Sequence, residues 1–144
     1  MSESAIETQT LASMPFFSTL SPQDLEGILA IGREVSFEPG AAIVEEGDIG
    51  DGMYIVVEGL ARVEVGGRYH DLKAGGFFGE MALITDSRRM ATVKAHEAVR
   101  ALKIPAEDFQ SFLLAHPSVA LAMLKASISR LREVEQRIDA WMAS

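Results

Sequence analysis

The chain has 144 residues, 48% of them hydrophobic, and its 21 acidic and 13 basic side chains give a formal net charge of −8. This length and apolar content suit one domain with a buried core, and they exclude a mainly disordered chain. The acidic charge disfavours nucleic acid and anionic membranes as partners, and the lack of cysteine excludes disulfides, thiolate metal sites and cysteine nucleophiles. No apolar run approaches the roughly 18 residues of a membrane span and no signal peptide is recognisable, so we expect a soluble, cytoplasmic single domain over residues 1–144.

Residues 1–32 are predicted to form N-terminal helices. A first, weaker helical stretch covers residues 6–14. Ser21 is a good N-cap for a second helix, because a proline follows at the first helical position and Asp24 puts a carboxylate in the first turn. Gly32 is expected to end this helix.

Short β-type runs alternate with glycine-rich turns over residues 33–104. The predicted strands are 35–38, 42–45, 53–58, 60–65, 91–95 and 99–104. In the fourth of these, Ala61, Val63 and Val65 would face inward and the residues between them outward, following the two-residue repeat of a strand. Six or more short strands at this spacing favour an antiparallel roll or barrel over a parallel sheet, so the predicted fold is mainly β with flanking helices.

Residues 105–144 are predicted to be helical again. A short helix covers 106–115, and Ser118 would cap a long helix from Val119 to about Met142. Apolar side chains recur along the long helix at nearly heptad spacing, with an interruption at Glu135; they are Leu121, Leu124, Ile128, Leu131, Val134, Ile138 and Trp141 or Met142. The spacing leaves two alternatives open: a helix docked on its own domain, or one that acts as a dimer seam or a moving lid.

The sequence contains no recognisable catalytic machinery. His70, His96 and His116 lack metal-ligand spacing and are interpreted as surface residues. The acidic turn at 45–52 lacks the spacing of a calcium-binding loop, and neither a serine-elbow motif nor a phosphate-binding loop occurs. We therefore expect neither an enzyme nor a metal site nor a cofactor.

One segment, residues 75–93, contains residues that can form an anion-binding site. Gly79 permits a close backbone approach, and Glu80–Ile84 can form one helical turn whose free amides favour an anion. Arg89 can bring a guanidinium to the same anion, while the Glu80 carboxylate can accept hydrogen bonds from hydroxyl groups. The combination suits a small organophosphate that also carries a hydroxyl.

This segment resembles the phosphate-binding cassette of cyclic-nucleotide-binding domains, which occur in cyclic-AMP-dependent kinase regulatory subunits, the catabolite activator protein and cyclic-nucleotide-gated channels. The resemblance lies in Phe78-Gly79-Glu80-Met81-Ala82-Leu83 and in Arg89-Met90-Ala91-Thr92-Val93. Residues 46–59 and 16–22 resemble the family's glycine-punctuated strand pair and the start of its N-terminal helical region. The resemblance implies an eight-stranded antiparallel β-roll (a double-stranded β-helix) with the cassette at 78–93.

The resemblance also implies roles for individual residues. Arg89 would pair with the exocyclic phosphate oxygens and Glu80 with the ribose 2′-hydroxyl. Amides around Gly79, Met81, Ala82 and Ala91 would complete the anion site, with Thr92 as a further cassette residue. By the same analogy, the base would meet Val63, Tyr69 and, from the long helix, Ser127 or Arg130.

Two positions depart from the family's pattern. Arg88 stands where a proline usually precedes the arginine of the cassette. Met90 stands where domains that select cyclic GMP often have a threonine or serine that bonds guanine. Since a methionine cannot donate that bond, cyclic AMP (cAMP) is favoured over cyclic GMP (cGMP).

The expected function is that of a stand-alone cyclic-nucleotide receptor or regulatory module with its C-terminal helix as a lid, or of a piece of a larger protein. Its protein partner is unknown, and a homodimer through the C-terminal helix is one option. The alternative is a degenerate interaction or dimerisation module that binds no nucleotide. An enzyme on a cupin-like roll is a third, more distant reading.

Overall fold

The N-terminal part of the fold is helical. The computed structural model describes residues 8–143, so the start of the predicted stretch at 6–14 lies outside the described residues. Helix α1 (Thr8–Ala12) and a 3-10 helix (Pro15–Phe17) precede helix α2 (Pro22–Ile31). The predicted cap of α2 is confirmed, because the Ser21 hydroxyl accepts a hydrogen bond from the Asp24 amide at 3.1 Å and the Asp24 carboxylate accepts one from the Ser21 amide.

Within residues 8–143, eight strands form two antiparallel sheets of four. The strands are β1 (Arg33–Phe37), β2 (Ala42–Val44), β3 (Gly52–Glu58), β4 (Ala61–Val65), β5 (Arg68–Leu72), β6 (Phe77–Phe78), β7 (Thr92–Ala95) and β8 (Val99–Pro105). Their order is β1-β8-β3-β6 in one sheet and β2-β7-β4-β5 in the other. The predicted fold class, mainly antiparallel β with flanking helices, is confirmed.

Strands β5 and β6 were not predicted. Strand β5 has a mostly polar sequence in which only Leu72 is buried, so it lacks the apolar alternation that marks a half-buried strand. Its pairing follows from the two-glycine turn at 66–67, where both residues have positive φ, as the tight hairpin turns that suit the twist of paired strands require. That turn sets the register and pairs Val63 with His70 and Ala61 with Leu72.

Strand β3 separates two apolar clusters. Met53, Ile55 and Val57 pack against the helices, whereas Tyr54 and Val56 face the interior of the roll. This follows from the alternation of side chains along a strand, and it explains why the run is buried on both faces. Strand β3 thereby separates the interior of the roll from the layer of helices.

The C-terminal helices are α4 (Ala106–Ala115) and α5 (Pro117–Ala143). Helix α5 begins two residues before the predicted start, so Ser118 lies inside it and is not its cap. A proline suits the first turn of a helix, since its missing N–H would be unpaired there. Among residues 8–143 no single helix is long and apolar enough to cross a membrane, although α4 and α5 together, with a bend of 105°, pass the same test.

The predicted apolar stripe of α5 faces away from the roll. The helix packs on the domain through Val119 and Met123, which are buried. Five stripe residues are between 42% and 57% exposed: Leu121, Leu124, Ile128, Leu131 and Val134. The side chains of Ile138 and Trp141 lie outside the described residues. The stripe is therefore not what covers the roll in this conformation.

A side-chain pair joins α2 to the junction of the two C-terminal helices. His116 Nδ1 lies 2.9 Å from Asp24 Oδ1, and the imidazole stacks on Phe112 with 4.7 Å between ring centroids. The hydrogen bond from His116 holds the pKa of Asp24 below its ordinary value, although burial acts in the opposite direction. His116 is therefore a partly buried, paired histidine and not the surface residue that the sequence suggested.

Candidate functional site

A cavity of about 430 Å³ opens into the β-roll beside the short helix α3 (Glu80–Ile84). Most of its wall is apolar. Four ionisable side chains line it: His70, Glu80, Arg89 and Arg130. Within the described part of the chain, no cluster of three or more potential metal-ligating side chains occurs.

Gly79 forms the turn that leads into α3. It is the N-cap residue of this helix and has φ of +90°, in the left-handed region that favours glycine. A Cβ atom at this position would lie 2.6 Å from Arg89 Nη1, closer than real side chains approach. The sequence argument that Gly79 permits a close approach therefore has a specific basis: the group that approaches is the Arg89 guanidinium.

The Arg89 side chain is held from three sides and is almost completely buried. Nη1 donates to the Gly79 carbonyl at 2.9 Å, and Nη2 donates to the Gly52 carbonyl at 2.7 Å and to Asp51 Oδ1 at 3.2 Å. These contacts engage three of the five N–H groups of a guanidinium. Among the described residues, these are the hydrogen bonds that the guanidinium makes, so Nε–H and the second N–H of Nη1 are not engaged by them. Arg89 itself lies in the loop before β7.

Asp51 connects this arginine to a second cation. Its Oδ2 lies 2.7 Å from Lys103 Nζ. Burial raises the pKa of Asp51, but the hydrogen bond and charge of Lys103, together with the charge of Arg89, outweigh burial and hold the pKa below its ordinary value. The carboxylate is therefore ionised at neutral pH and stabilises the Arg89 guanidinium in the ligand-free protein.

Glu80 begins α3 and lines the cavity as a buried carboxyl group, with 7% of the residue exposed. Burial raises its pKa, and its own backbone amide and the charges of Arg130 and Arg89 partly offset that effect. A carboxylate in such a place can accept hydrogen bonds from a ligand's hydroxyl groups. Such donors would offset the part of its desolvation that the protein's own groups leave uncompensated.

The apolar side chains that line the cavity include Val63, Leu72 and Met90. Helix α5 contributes Arg130, whose Nη2 donates to the Phe77 carbonyl at 3.1 Å. The guanidinium also lies 4.5 Å from the centre of the Phe77 ring, as in a cation–π contact. One turn of the long helix is thereby joined to strand β6, directly before the Gly79 turn.

The structure brings most of the predicted site residues to this one cavity. Those that line it are Val63, Gly79, Glu80, Met81, Ala82, Arg89, Met90, Ala91 and Arg130. Three others do not line it. Tyr69 is 64% exposed on the outer face of β5 near Arg62, the Thr92 hydroxyl accepts a hydrogen bond from the Glu46 amide at 3.0 Å, and Ser127 is exposed. The role of each residue in binding stays a prediction.

His70 is an ionisable cavity residue that was not among the predicted site residues. It is exposed, as the sequence predicted for a surface histidine, and it also lines the cavity wall opposite Val63. Facing residues of an antiparallel pair share one side of the sheet, so the hairpin at 66–67 puts His70 inside and Tyr69 outside. The two-glycine signal was present in the sequence and would have distinguished them.

Comparisons with known proteins identify the family of this domain. The family described as "Cyclic nucleotide-binding domain" matches residues 34–116. A cyclic nucleotide-gated potassium channel of Rhizobium etli is 37% identical over 122 residues, which are 85% of this chain and 34% of the channel. The chain thus spans about a third of that relative's length.

Solved structures share the fold. The catabolite activator protein of Thermus thermophilus superposes with a TM-score of 0.75 at 29% identity, covering 87% of this chain and 62% of that one. The regulatory domain of Toxoplasma gondii PKA, solved with cAMP, has a TM-score of 0.70 at 28% identity, covering 83% and 48% of the two chains. The chain belongs to the cyclic nucleotide-binding domain family.

Proposed function

We propose that this domain binds a cyclic nucleotide, cAMP in preference to cGMP, as a regulatory module. The observation that carries the proposal is that a buried guanidinium, Arg89, and a buried carboxyl group, Glu80, line the same mostly apolar cavity. A ligand for such a site needs an anionic group, a hydroxyl group and an apolar ring. A cyclic nucleotide has all three on one rigid frame.

The phosphate is assigned to Arg89 and to the backbone amides from Gly79 to Ala82 at the start of α3, with the Ala91 amide opposite. Arg89 is already oriented by two carbonyl groups and by Asp51, so little side-chain entropy is lost when it meets an anion. Charge-assisted hydrogen bonds of this kind are about twice as strong as neutral ones. A focused site of this sort allows an acidic protein to hold an anion.

The ribose is assigned to Glu80. In the ligand-free protein this carboxyl group carries a desolvation penalty, which the raised pKa reflects. A 2′-hydroxyl group that donates to it would offset that penalty. The same carboxylate would repel a second phosphate group, so the site favours a monoanionic cyclic phosphate.

The base is assigned to the wall formed by Val63, Leu72 and Met90, with Arg130 at its edge; Tyr69, Thr92 and Ser127 stay weaker predictions. Met90 lines the cavity and has no hydrogen-bond donor for guanine. This supports cAMP over cGMP. The Toxoplasma gondii relative was solved with cAMP, as its description states.

Helix α5 is proposed to act as the lid. Arg130 joins it to the Phe77 carbonyl directly before the Gly79 turn, so a ligand in the cavity can change the helix's contacts. A ligand biases such a helix only through a difference in affinity between two arrangements. The output passes to an unknown protein partner or to an attached domain, in the cytoplasm.

The exposed apolar stripe of α5 supports a second proposal, that two copies of the chain associate through this helix. The stripe residues Leu121, Leu124, Ile128 and Leu131 follow the three- and four-residue steps of a coiled-coil seam, on the side away from the roll. Sedimentation of the wild-type protein and of Leu124→Lys tests this. A dimer that the substitution converts to a monomer is expected, and a wild-type monomer at all concentrations would contradict it.

The nucleotide proposal is tested by calorimetric titration of the ligand-stripped protein with cAMP and cGMP. Arg89→Lys keeps the positive charge but loses the planar pair of N–H donors of the guanidinium. We expect it to weaken cAMP binding by roughly tenfold or more. Arg88→Lys is the matched control, because the exposed neighbour bonds the Gly47 carbonyl outside the cavity; its affinity should stay within about twofold of wild type. If no nucleotide binds, the degenerate interaction module becomes the better account.

A further inference from the structure

His70 is a polar side chain in the wall of the proposed base pocket. It lies on strand β5 and pairs with Val63 of strand β4. The next β5 residue on the same face is Leu72, and all three residues line the cavity. The other β5 residues at 69 and 71 lie on the outer face, where Arg62 contacts both. The His70 side chain is exposed to solvent and also forms part of the cavity wall, so a ligand in the cavity can reach it.

His70 differs from the other ionisable cavity side chains in the hydrogen bonds that it can make. Arg89 and Arg130 are donors only, and ionised Glu80 is an acceptor only. If Arg89 takes the phosphate and Glu80 the ribose, the base is left with Arg130 and His70. Among the cavity side chains the structure describes, His70 is then the strong acceptor available to a base, provided that its imidazole is neutral.

The charges around His70 favour its neutral form. Burial lowers its pKa from the usual 6.5, and the positive charges of Arg130 and Arg137 on α5 lower it further, whereas Asp71 on the same strand acts in the opposite direction. Glu80 and Arg89 of the cassette face the same cavity with opposite charges. A protonated His70 would be a second cation beside Arg130, so the neutral imidazole is favoured at neutral pH.

We propose that His70 is a specificity-determining residue, which contacts the six-position substituent of the purine and whose protonation state sets the preference between adenine and guanine. This inference rests on the proposed nucleotide function. Neutral imidazole can accept a hydrogen bond from the exocyclic amino group of adenine. Imidazolium can only donate, so it opposes that amino group but suits the carbonyl oxygen of guanine.

The sign of the pH dependence follows from these roles. Above its lowered pKa, His70 is neutral and cAMP is accepted. As the pH falls below 6.5 and through that pKa, the acceptor is lost, and the affinity for cAMP should fall relative to that for cGMP. Both ligands carry the same phosphate and ribose, so their ratio removes effects of acid on the rest of the site.

Three variants, titrated with cAMP and cGMP at about pH 7.5, test the proposal. His70→Lys imitates the donor-only state, and it should lower the ratio of cAMP to cGMP affinity by about fivefold or more, since an opposed amino group loses its hydrogen bond. His70→Gln offers both a donor and an acceptor, so its ratio should stay within about twofold of wild type. His96→Lys makes the same charge change at an exposed residue outside this cavity and should leave the ratio unchanged.

A second measurement on the same proteins gives a signature that a merely structural residue would not produce. The cAMP to cGMP ratio of the wild type should fall on acidification, and that fall should be absent in His70→Gln. An unchanged ratio in His70→Lys overturns this inference while leaving nucleotide binding intact. Failure of both nucleotides to bind the wild type overturns the proposed function and this inference together.

Discussion

Gly79→Ala tests whether the close contact between the turn and the arginine is what makes the anion site. The substitution acts in two ways. An alanine at φ of +90° is strained, and its Cβ would lie 2.6 Å from Arg89 Nη1 and 3.1 Å from the Gly52 carbonyl oxygen. The guanidinium would have to leave the position in which it donates to the carbonyl groups of Gly79 and Gly52.

The chain offers a matched control for the strain. Gly40 has φ of +87°, and a Cβ there would meet nothing within 4 Å. The left-handed conformation costs a non-glycine residue roughly 1–2 kcal/mol, so Gly40→Ala should lose about that much stability. Gly79→Ala should lose a further 1.5–3 kcal/mol, roughly the worth of a hydrogen bond to a charged group.

The assay is urea unfolding of both variants, followed by calorimetric titration with cAMP. Gly40→Ala should bind within about twofold of wild type, whereas Gly79→Ala should bind more than about tenfold more weakly, because its guanidinium is displaced. Equal losses of stability in the two variants, or wild-type affinity in Gly79→Ala, would show that the absence of a side chain at Gly79 is not what allows the Arg89 guanidinium to approach.

Four further changes have defined outcomes. Burial raises the pKa of Glu80, so its ionisation destabilises the ligand-free fold as the pH rises above 4.5. Glu80→Gln should therefore raise Tm at pH 7 and weaken cAMP binding by about tenfold. A variant that is neither more stable nor weaker in binding would contradict this role. Met90→Thr adds a hydroxyl for guanine and should raise cGMP affinity relative to cAMP in a competition titration; an unchanged ratio counts against it. The lowered pKa of Asp24 contributes stability that is present above pH 3.8 and lost as the pH falls through the lower value, so Asp24→Asn should lose stability at pH 7 and show a smaller further loss in acid, measured by urea unfolding; parallel pH profiles would argue against the pairing with His116. Nucleotide should slow amide exchange over residues 119–137 of α5 if the helix is a lid, and identical protection with and without cAMP would exclude that role.

The cassette could be predicted from the sequence because its parts are local. The glycine, the helical turn and the arginine lie within eleven residues, and each has a propensity or a chemistry that can be read without knowing the fold. The partners that orient the arginine could not be predicted in this way. Asp51 and Gly52 lie 38 and 37 positions from Arg89, and only the closing of the roll brings them to it.

Strand β5 shows a different limit. Its side chains are mostly polar because one face meets water and the other meets a cavity. The strand therefore lacks the alternation of apolar and polar residues from which a strand is predicted. Turn chemistry was the better signal. Two glycines at 66–67 between Val65 and Arg68 predict a tight hairpin, and that hairpin alone distinguishes His70 from Tyr69 as the inward residue.

For α5, the sequence supported an apolar stripe but not the surface that it covers. Val119 and Met123, which hold the helix to the domain, are apolar like the stripe and are separated from it only by their angle around the helix axis. Which of two apolar faces docks depends on the shape of the rest of the domain. This is tertiary information that the residue spacing does not contain.

The most direct test of the central claim is a crystal structure of the ligand-stripped protein after saturation with cAMP. We expect one nucleotide in the β-roll cavity, with its phosphate oxygens bonded to Arg89 and the α3 amides and its 2′-hydroxyl group bonded to Glu80. A nucleotide bound elsewhere, or one whose phosphate lies away from Arg89, would contradict it.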